Sequence, residues 1–150
     1  MGHNSLYDIN VNKTKWRSAM LIGYARTSTL EQGAGLDTQL RDLKAIGCEK
    51  VFQEQVSSVQ KRDELEAALD YLRDGDTLVV TKLDRLARSV IHLGEIIWKI
   101  EGRDANLRIL NLNIDTSTAT GKLMLHLLGS VAQFEREMML ERQREGIAKA

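Results

Sequence analysis

The stretch Leu21-Ile22-Gly23-Tyr24-Ala25-Arg26-Thr27-Ser28-Thr29 begins as an apolar run and becomes polar within a few residues. An apolar run of this length predicts a short buried strand, and its polar end is a rigid support on which a reactive group can be mounted. Arg26 and Ser28 are two positions apart, so in an extended strand their side chains point to the same side of the sheet. The stretch therefore predicts a guanidinium beside a candidate serine nucleophile.

Predicted strands and helices alternate along the chain after this first strand, which we place at 20–26. Short apolar runs predict further strands at 50–53, 77–81 and 107–114. Apolar residues at helical spacing predict helices at 37–46, 63–75 and 83–102. The glycines within 29–35 predict a flexible loop before the first of these helices, with Asp37 as the N-cap. The alternation predicts an α/β fold with a mainly parallel central sheet and helices on both faces.

The last segment, from Thr118 to Ala150, breaks this alternation and predicts one long C-terminal helix of about 45 Å. Its apolar residues recur at spacings of three and four, at Leu123, Leu127, Val131, Phe134 and Met138. One interpretation packs this helix on its own domain. We favour the other, in which the outer part of the helix packs against a second subunit and serves dimerisation.

Length and composition indicate an ordinary globular protein. The chain has 150 residues, of which 43% are hydrophobic and 28% charged, and these values fit one compact domain. No apolar run approaches the roughly 20 residues of a membrane span, and no secretory signal precedes the first strand. The single cysteine, Cys48, fits a reducing cytoplasm. The three histidines are scattered, so neither a metal ion nor another cofactor is expected.

Polarity and the pattern of strands and helices divide the chain into three parts: an N-terminal extension at 1–19, an α/β core at 20–117 and the long helix at 118–150. The extension is polar, with basic residues around Trp16, and we interpret it as a partly disordered tail. The alternative is a basic arm that touches a nucleic-acid backbone. The formal net charge of the chain is zero, which argues against a binder of nucleic acid that is basic over its whole surface.

A second informative stretch, Lys82-Leu83-Asp84-Arg85-Leu86-Ala87-Arg88-Ser89, lies where the third strand gives way to a helix. Sites in parallel sheets gather at the carboxyl ends of strands, so this stretch and Ser28 are predicted to meet at one rim. Arg85 and Arg88 are three positions apart, which predicts that they share a helix face and hold an anionic group together. The alternative is a surface face of salt bridges with nearby acidic residues.

A serine hydroxyl ionises far above neutral pH and needs activation before it can attack. No histidine or lysine lies near Ser28 in the sequence, so a hydrolase triad has no local support. A group of arginines offers another route, because guanidiniums stabilise the alkoxide as it forms and the extra negative charge of a pentacoordinate phosphorane. Arg62, in the polar loop before the second helix, is a further candidate for this group.

Four motifs in this sequence resemble the resolvase/invertase family of serine recombinases. They are Gly23-Tyr24-Ala25-Arg26-Thr27-Ser28-Thr29, Leu36-Asp37-x-Gln39, Leu83-Asp84-Arg85-Leu86-Ala87-Arg88 and Glu135-Arg136-Glu137…Glu141-Arg142. Each is weak alone, but together they follow the order and approximate spacing of the family. The similarity covers roughly residues 20–150, which is the whole catalytic domain of that family.

The resemblance implies a definite reaction on DNA. Ser28 would be the nucleophile that attacks a DNA phosphodiester, forming a 5′-phosphoserine link and releasing a 3′-hydroxyl. After subunit rotation, the freed hydroxyls would attack the serine links of exchanged partners. One phosphoester replaces another in each step, so the resemblance implies that neither ATP nor a divalent metal is needed.

The resemblance also implies roles residue by residue. The catalytic group that it implies is Ser28, Arg26, Arg62, Asp84, Arg85 and Arg88. Asp84 would orient an arginine or shuttle a proton, and the sequence leaves both roles open. Tyr24 and Gln39 match supporting positions of the active site. Arg136 and Arg142 match positions where the long helix meets DNA or the subunit interface, and the alternative for both is pairing with glutamates on the helix surface.

The partners implied by the resemblance are DNA, a homodimer and a tetramer in the synaptic complex, in the bacterial cytoplasm at the nucleoid and without a membrane. The family usually continues into a helix-turn-helix DNA-binding domain, and this sequence stops at Ala150, where that domain would begin.

Two other functions compete with this one. A recombinase-derived module for dimerisation or regulation is disfavoured by the intact arginines and Ser28. An unrelated phosphate-ester hydrolase is disfavoured by the lack of a nearby histidine base or metal site.

Overall fold

The computed structural model describes residues 18–28, 33–56 and 61–149. Most of the predicted extension at 1–19 and the first part of the predicted loop at 29–35 lie outside these residues. The elements in chain order are β1 (Leu21–Thr27), α1 (Gly33–Ala45), β2 (Lys50–Gln55), α2 (Asp63–Tyr71), β3 (Thr77–Val80), α3 (Leu83–Leu86), α4 (Val90–Gly102), β4 (Asn106–Ile109), β5 (Ile114–Asp115) and α5 (Ala119–Lys149).

The five strands form one sheet in the order β2-β1-β3-β4-β5. β1 pairs in parallel with β2 and β3, β3 pairs in parallel with β4, and β5 is antiparallel to β4. The predicted α/β fold with a mainly parallel sheet is therefore confirmed. β2 lies on one side of β1, whereas β3 and β4 follow each other on the other side. The order in which the strands are added therefore changes direction between β1 and β3. This change of direction leaves a crevice at the carboxyl ends of β1 and β3, where ligands bind in open α/β sheets.

Side chains alternate between the two faces of the sheet, and each face has its own apolar cluster. Ile22 and Tyr24 of β1 face the larger cluster, which includes residues of α2, α4 and α5. Ala25 faces the smaller cluster, together with Leu43 of α1 and Val79 of β3. Since burial of apolar surface is the main stabilising contribution to folding, these clusters hold the helices on both faces, as predicted.

Helix α1 begins at Gly33, four residues before the predicted N-cap at Asp37. The prediction of a flexible loop is therefore wrong for 33–35. Glycine in a helix costs only about 1 kcal/mol relative to alanine, and the packing of Leu36 and Leu40 against the smaller cluster holds the helix in place.

The predicted helix at 83–102 is two helices separated by a short extended segment. α3 ends at Leu86, and the backbone of Ala87 is extended, with φ −122° and ψ 141°. α4 then begins with Ser89 as its N-cap. The sequence hid this break because Leu86 and Leu93, on either side of it, both point into the larger cluster. The prediction that Arg85 and Arg88 share a helix face is therefore wrong, since only Arg85 lies in α3.

The predicted strand at 107–114 is also two elements, β4 and the short antiparallel β5. The turn between them includes Asn113 in the left-handed region, with φ 53°, a conformation that asparagine tolerates better than most residues. The turn pairs Ile109 with Ile114, and both side chains join the larger cluster.

The predicted long C-terminal helix is confirmed as α5, which has 31 residues. Its first half packs on the domain through the buried residues Gly121, Leu125 and Ala132. The predicted apolar series lies mostly on another side of the helix, where Leu123, Leu127, Val131 and Phe134 are 49–60% exposed. Among the helices that the structure describes, none is long and apolar enough to span a membrane.

We expect Gly121→Ala to lower the free energy of unfolding by about 3 kcal/mol. An added Cβ would lie 1.7 Å from the backbone oxygen of Asp115, so the start of α5 would have to move away from β5. Urea denaturation followed by circular dichroism measures the change.

The matched control for this variant is Gly129→Ala on the same helix, because an added Cβ there meets no described heavy atom within 4 Å. It should leave the protein as stable or up to about 1 kcal/mol more stable. Equal denaturation midpoints for the two variants would contradict the close approach at Gly121.

Candidate active site

The carboxyl end of β1 extends beyond β3, and the side chain of Gln39 takes the place of the missing strand. The backbone N–H and C=O groups of the even-numbered residues of β1 face β3. Pairing with β3 ends before Arg26, so the backbone groups of Arg26 have no partner strand on that side. There Gln39 Oε1 accepts the Arg26 N–H at 3.2 Å, and Gln39 Nε2 donates to the Arg26 carbonyl at 2.9 Å. Gln39 is buried. It thus holds the strand end that carries Arg26 and Ser28.

Arg26 is only 6% exposed, and its guanidinium connects two segments of the chain. Nη1 donates to the carbonyl of Val56, directly after β2, and Nη2 donates to the carbonyl of Asp84 in α3, both at 3.0 Å. Within the described residues, Arg26 Nε has no hydrogen-bond acceptor. Both acceptors are neutral carbonyl oxygens, so these contacts leave the positive charge of Arg26 in place.

Arg62 is buried immediately before α2 and contacts the end of α3. Its Nη1 donates to the carbonyl of Leu86 at 2.6 Å and, at the limit of hydrogen-bond distance, to that of Arg85 at 3.5 Å. The last carbonyls of a helix lack partners within the helix, and a cation there is favourable. Arg26 and Arg62 together therefore hold α3 from its backbone side.

The electrostatics of Arg62 show how closely the charged groups are assembled. Burial lowers the pKa of Arg62, and the charges of Arg26 and Arg88 lower it further. The Glu54 carboxylate acts in the opposite direction and raises this pKa. A guanidinium stays charged in proteins even when its pKa is lowered. The cluster therefore combines three mutually repelling cations, which an anion placed among them would stabilise.

Glu54, at the end of β2, organises the side of the site next to α2, although it was not among the predicted site residues. Its carboxylate accepts the Tyr24 hydroxyl at 2.6 Å and the N–H groups of Glu64 and Leu65 at 3.3 and 3.1 Å. An anion at a helix N-terminus is favourable. Burial, followed by the hydrogen bond to Glu54, raises the pKa of Tyr24, so its phenol stays protonated. The sequence signal for Glu54 was the presence of a carboxylate at a strand end shortly before a helix.

The predicted nucleophile and the remaining arginines lie at the rim formed by the ends of β1 and β3. Ser28 follows β1 directly and is half-buried. The Arg85 side chain is 18% exposed, and its Nε lies 4.0 Å from the exposed carboxylate of Asp84. Arg88 is exposed in the segment after α3. Ser28 and these arginines thus leave neighbouring strands at the crevice where the sheet changes direction.

His92 is a further residue at this rim that sequence reasoning missed. Its ring Nδ1 accepts the backbone N–H of Arg88 at 3.2 Å, and the backbone N–H of His92 donates to the Ser89 hydroxyl at 3.1 Å. The sequence signal was the spacing Ser89-x-x-His92 at a helix start, where residues three apart often bond each other's backbone.

The remaining predicted or conceivable reactive groups belong to other elements of the fold. Arg136 and Arg142 are exposed on α5, and Arg136 lines a groove between α4 and α5. Their contact with DNA or a second subunit stays a prediction. Cys48 is buried against α1, and burial raises its pKa to about 11, so it is not a thiolate at neutral pH. Among the described residues, no group of three or more His, Cys, Asp or Glu side chains is arranged to hold a metal ion.

Comparison with known proteins gives consistent matches. Residues 21–150 match the family described as "Resolvase, N terminal domain". The chain is 45% identical over 132 residues to a DNA-invertase of Enterobacteria phage P7, a match that covers 87% of this chain and 70% of that protein. It is 43% identical over 132 residues to the serine recombinase gin of Escherichia phage Mu, with 87% of this chain and 67% of that protein covered.

Solved structures with the same fold include the N-terminal catalytic domain of TP901-1 integrase. That match has 27% identity and a TM-score of 0.65, and it covers 79% of this chain and 98% of the other. A resolvase family site-specific recombinase from Streptococcus pneumoniae gives a TM-score of 0.73 at 24% identity, over 88% of this chain and 97% of the other. The second likeness bears on the fold alone.

We expect Gln39→Leu to lower the free energy of unfolding by about 2–4 kcal/mol, because two buried backbone groups of Arg26 would lose their partners. The matched control is Gln53→Leu, an exposed position on β2, which should change stability by no more than about 0.5 kcal/mol. Urea denaturation measures both, and hydrogen exchange at the Arg26 amide should accelerate only in Gln39→Leu. An Arg26 amide that stays protected in this variant would contradict the role of Gln39.

Proposed function

The chain belongs to the resolvase N-terminal domain family of serine recombinases, and on that premise we propose that it is a catalytic domain that cleaves and rejoins DNA strands through Ser28. The observation that carries this proposal is the rim at the ends of β1 and β3. Ser28 there follows the strand that holds the buried Arg26, and the guanidiniums of Arg26 and Arg62 both donate to backbone carbonyls, which are neutral acceptors. Positive charge fixed in this way suits a phosphate.

In the proposed first step, Ser28 Oγ forms a bond to the phosphorus of a DNA phosphodiester, and the bond from phosphorus to the 3′ oxygen breaks. The proton that Ser28 loses is balanced by the proton that the 3′ oxygen gains, so the products are a 5′-phosphoserine and a 3′-hydroxyl. Rejoining is the same exchange in reverse, with the 3′-hydroxyl of another strand as the attacking group. Each step exchanges one phosphoester for another, and we propose that it proceeds without ATP or a divalent metal.

The arginines would supply the stabilisation that this exchange needs. Arg26 and Arg62 are buried and held by backbone carbonyls, so little reorganisation is needed when negative charge develops on the phosphate. Arg85 and Arg88 are more accessible and would contact the phosphate oxygens directly. One preorganised donor of this kind raises the rate about 100-fold to 1,000-fold. We propose that this stabilisation takes the place of a general base beside Ser28.

The remaining site residues would support this arrangement. We propose that Gln39 and Tyr24 fix β1 through the contacts described above. The Asp84 carboxylate is 73% exposed and lies near Arg85 Nε, which supports a role in orienting that guanidinium.

The outer side of α5 supports a proposal of self-association. A series of four apolar side chains is exposed along about three turns of this helix: Leu123, Leu127, Val131 and Phe134. Contiguous exposed apolar patches mark interaction sites in soluble proteins. We propose that a second copy of the chain covers this series in a homodimer, that dimers join as a tetramer on DNA, and that Arg136 and Arg142 contact DNA or the partner.

We expect Ser28→Ala to abolish a covalent protein–DNA adduct without a loss of stability. The assay joins the full chain to a DNA-binding module of known specificity and supplies supercoiled plasmids with varied sequence between two module sites, in the presence of a metal chelator. Denaturing gels detect the adduct. The control is Ser117→Ala, an exposed serine before α5, which should keep the adduct. An adduct formed by Ser28→Ala would contradict the assignment of the nucleophile.

We expect Phe134→Glu to weaken self-association by at least about tenfold, because it places a charge in the proposed apolar contact. Sedimentation velocity over a range of concentrations measures the effect. Gln143→Glu adds the same charge at an exposed polar position of α5 and should have little effect. Identical sedimentation behaviour of the two variants would count against this face of α5 as the interface.

A further inference from the structure

The segment that carries Arg88 is held by a reciprocal pair of hydrogen bonds at the start of α4. The Ser89 hydroxyl accepts the backbone N–H of His92 at 3.1 Å, and His92 Nδ1 accepts the backbone N–H of Arg88 at 3.2 Å. This arrangement is similar to a capping box with an imidazole in place of the usual carboxylate, except that the imidazole bonds the N–H of the residue before the N-cap. The backbone of Arg88 therefore depends on a side chain that can change its charge with pH.

The hydrogen bond from Arg88 sets the protonation state of His92. A backbone N–H only donates, so His92 Nδ1 must present a lone pair, and the ring proton must be on Nε2. A doubly protonated imidazolium has no acceptor and would direct an N–H at the Arg88 N–H. Protonation of His92 is therefore incompatible with this contact.

The surroundings of His92 also disfavour its charged form. Burial lowers its pKa from the ordinary value of 6.5, and the cations Arg88 and Arg62 lower it further. Glu95 on α4 and Glu66 on α2 act in the opposite direction. Glu66 is itself paired with Lys99 at 3.2 Å, so the field at the ring is dominated by burial and by the two arginines.

We propose that His92, as the neutral Nε2–H tautomer, is a positioning residue that fixes Arg88 for contact with the scissile phosphate, and that its protonation slows strand cleavage. This role rests on the proposed function, since it assumes that Arg88 contacts DNA phosphate. His92 itself need not touch DNA. It acts through the backbone of the residue four positions before it, and the guanidinium follows from there.

The direction of the pH effect follows from the charge of each state. The unfolded chain binds a proton on His92 near its ordinary pKa of 6.5, and the folded protein binds it only at lower pH. The stabilising contribution of the neutral ring is therefore complete above that value and is lost as the pH falls below it. Cleavage is carried out by the folded protein, so its acid limb should follow the lowered pKa of His92 and lie at a pH below the ordinary value of 6.5.

The test compares two substitutions of His92 in the cleavage assay from about pH 5.5 to about pH 8. In His92→Asn, the side-chain oxygen can still accept the Arg88 N–H and does not titrate, so the acid limb should flatten while cleavage at neutral pH is kept. In His92→Leu the acceptor is lost, and the single-turnover rate should fall by about tenfold or more at every pH, with DNA affinity little changed. His126→Asn, at an exposed histidine on α5, should behave as wild type.

Nuclear magnetic resonance supplies a readout that is independent of activity. The nitrogen shifts of His92 in the wild-type chain should show Nε2 protonated and Nδ1 as the acceptor at neutral pH. A proton on Nδ1 would overturn the proposal, as would a normal adduct whose acid limb is unchanged in His92→Asn. The absence of any adduct with the wild-type chain at every pH would instead overturn the proposed function, and the role of His92 in cleavage with it.

Discussion

The site depends on one constraint, which is that β1 is longer than the strand beside it. β1 has seven residues and β3 has four. The end of β1 stays paired with β2, but its backbone groups on the β3 side must be satisfied outside the sheet. Gln39 does this for Arg26, and the Arg26 guanidinium in turn binds carbonyls of the neighbouring segments. Because β3 stops early, the chain turns into α3 next to β1. The arginines of that segment reach the rim for this reason.

The charge distribution follows from how these arginines are bound. The chain as a whole has a formal net charge of zero, yet Arg26 and Arg62 both donate to neutral backbone carbonyls. Glu54, the carboxylate next to them, is occupied by the N-terminus of α2 and by the Tyr24 hydroxyl. The site therefore keeps a local positive potential in a chain that is neutral overall. Composition alone conceals such a site, since averaging over the chain removes it.

The sequence predicted what depends on local pattern and missed what depends on contacts between distant segments. Alternating strands and helices, and the long α5, follow from apolar spacing. The same spacing concealed the break at Ala87, because both new helices keep their apolar residues toward one core. Ser28 and the arginines were recognisable as residue types at strand ends. Glu54 was not, because it bonds the backbone of another segment, the start of α2. His92 was not, and Arg88 was placed on the wrong element, because both depend on the break at Ala87.

Helix α5 carries a gradient of local stability along its length. The contact of Gly121 with β5 and the burial of Leu125 and Ala132 fix its first half, whereas residues 133–147 are largely exposed. A solvated helical segment of that size is marginal by itself in water, so its order depends on what covers it. In the proposed homodimer, association and ordering of this half would therefore be one equilibrium. The affinity of that association would include the free energy of ordering the outer half of α5.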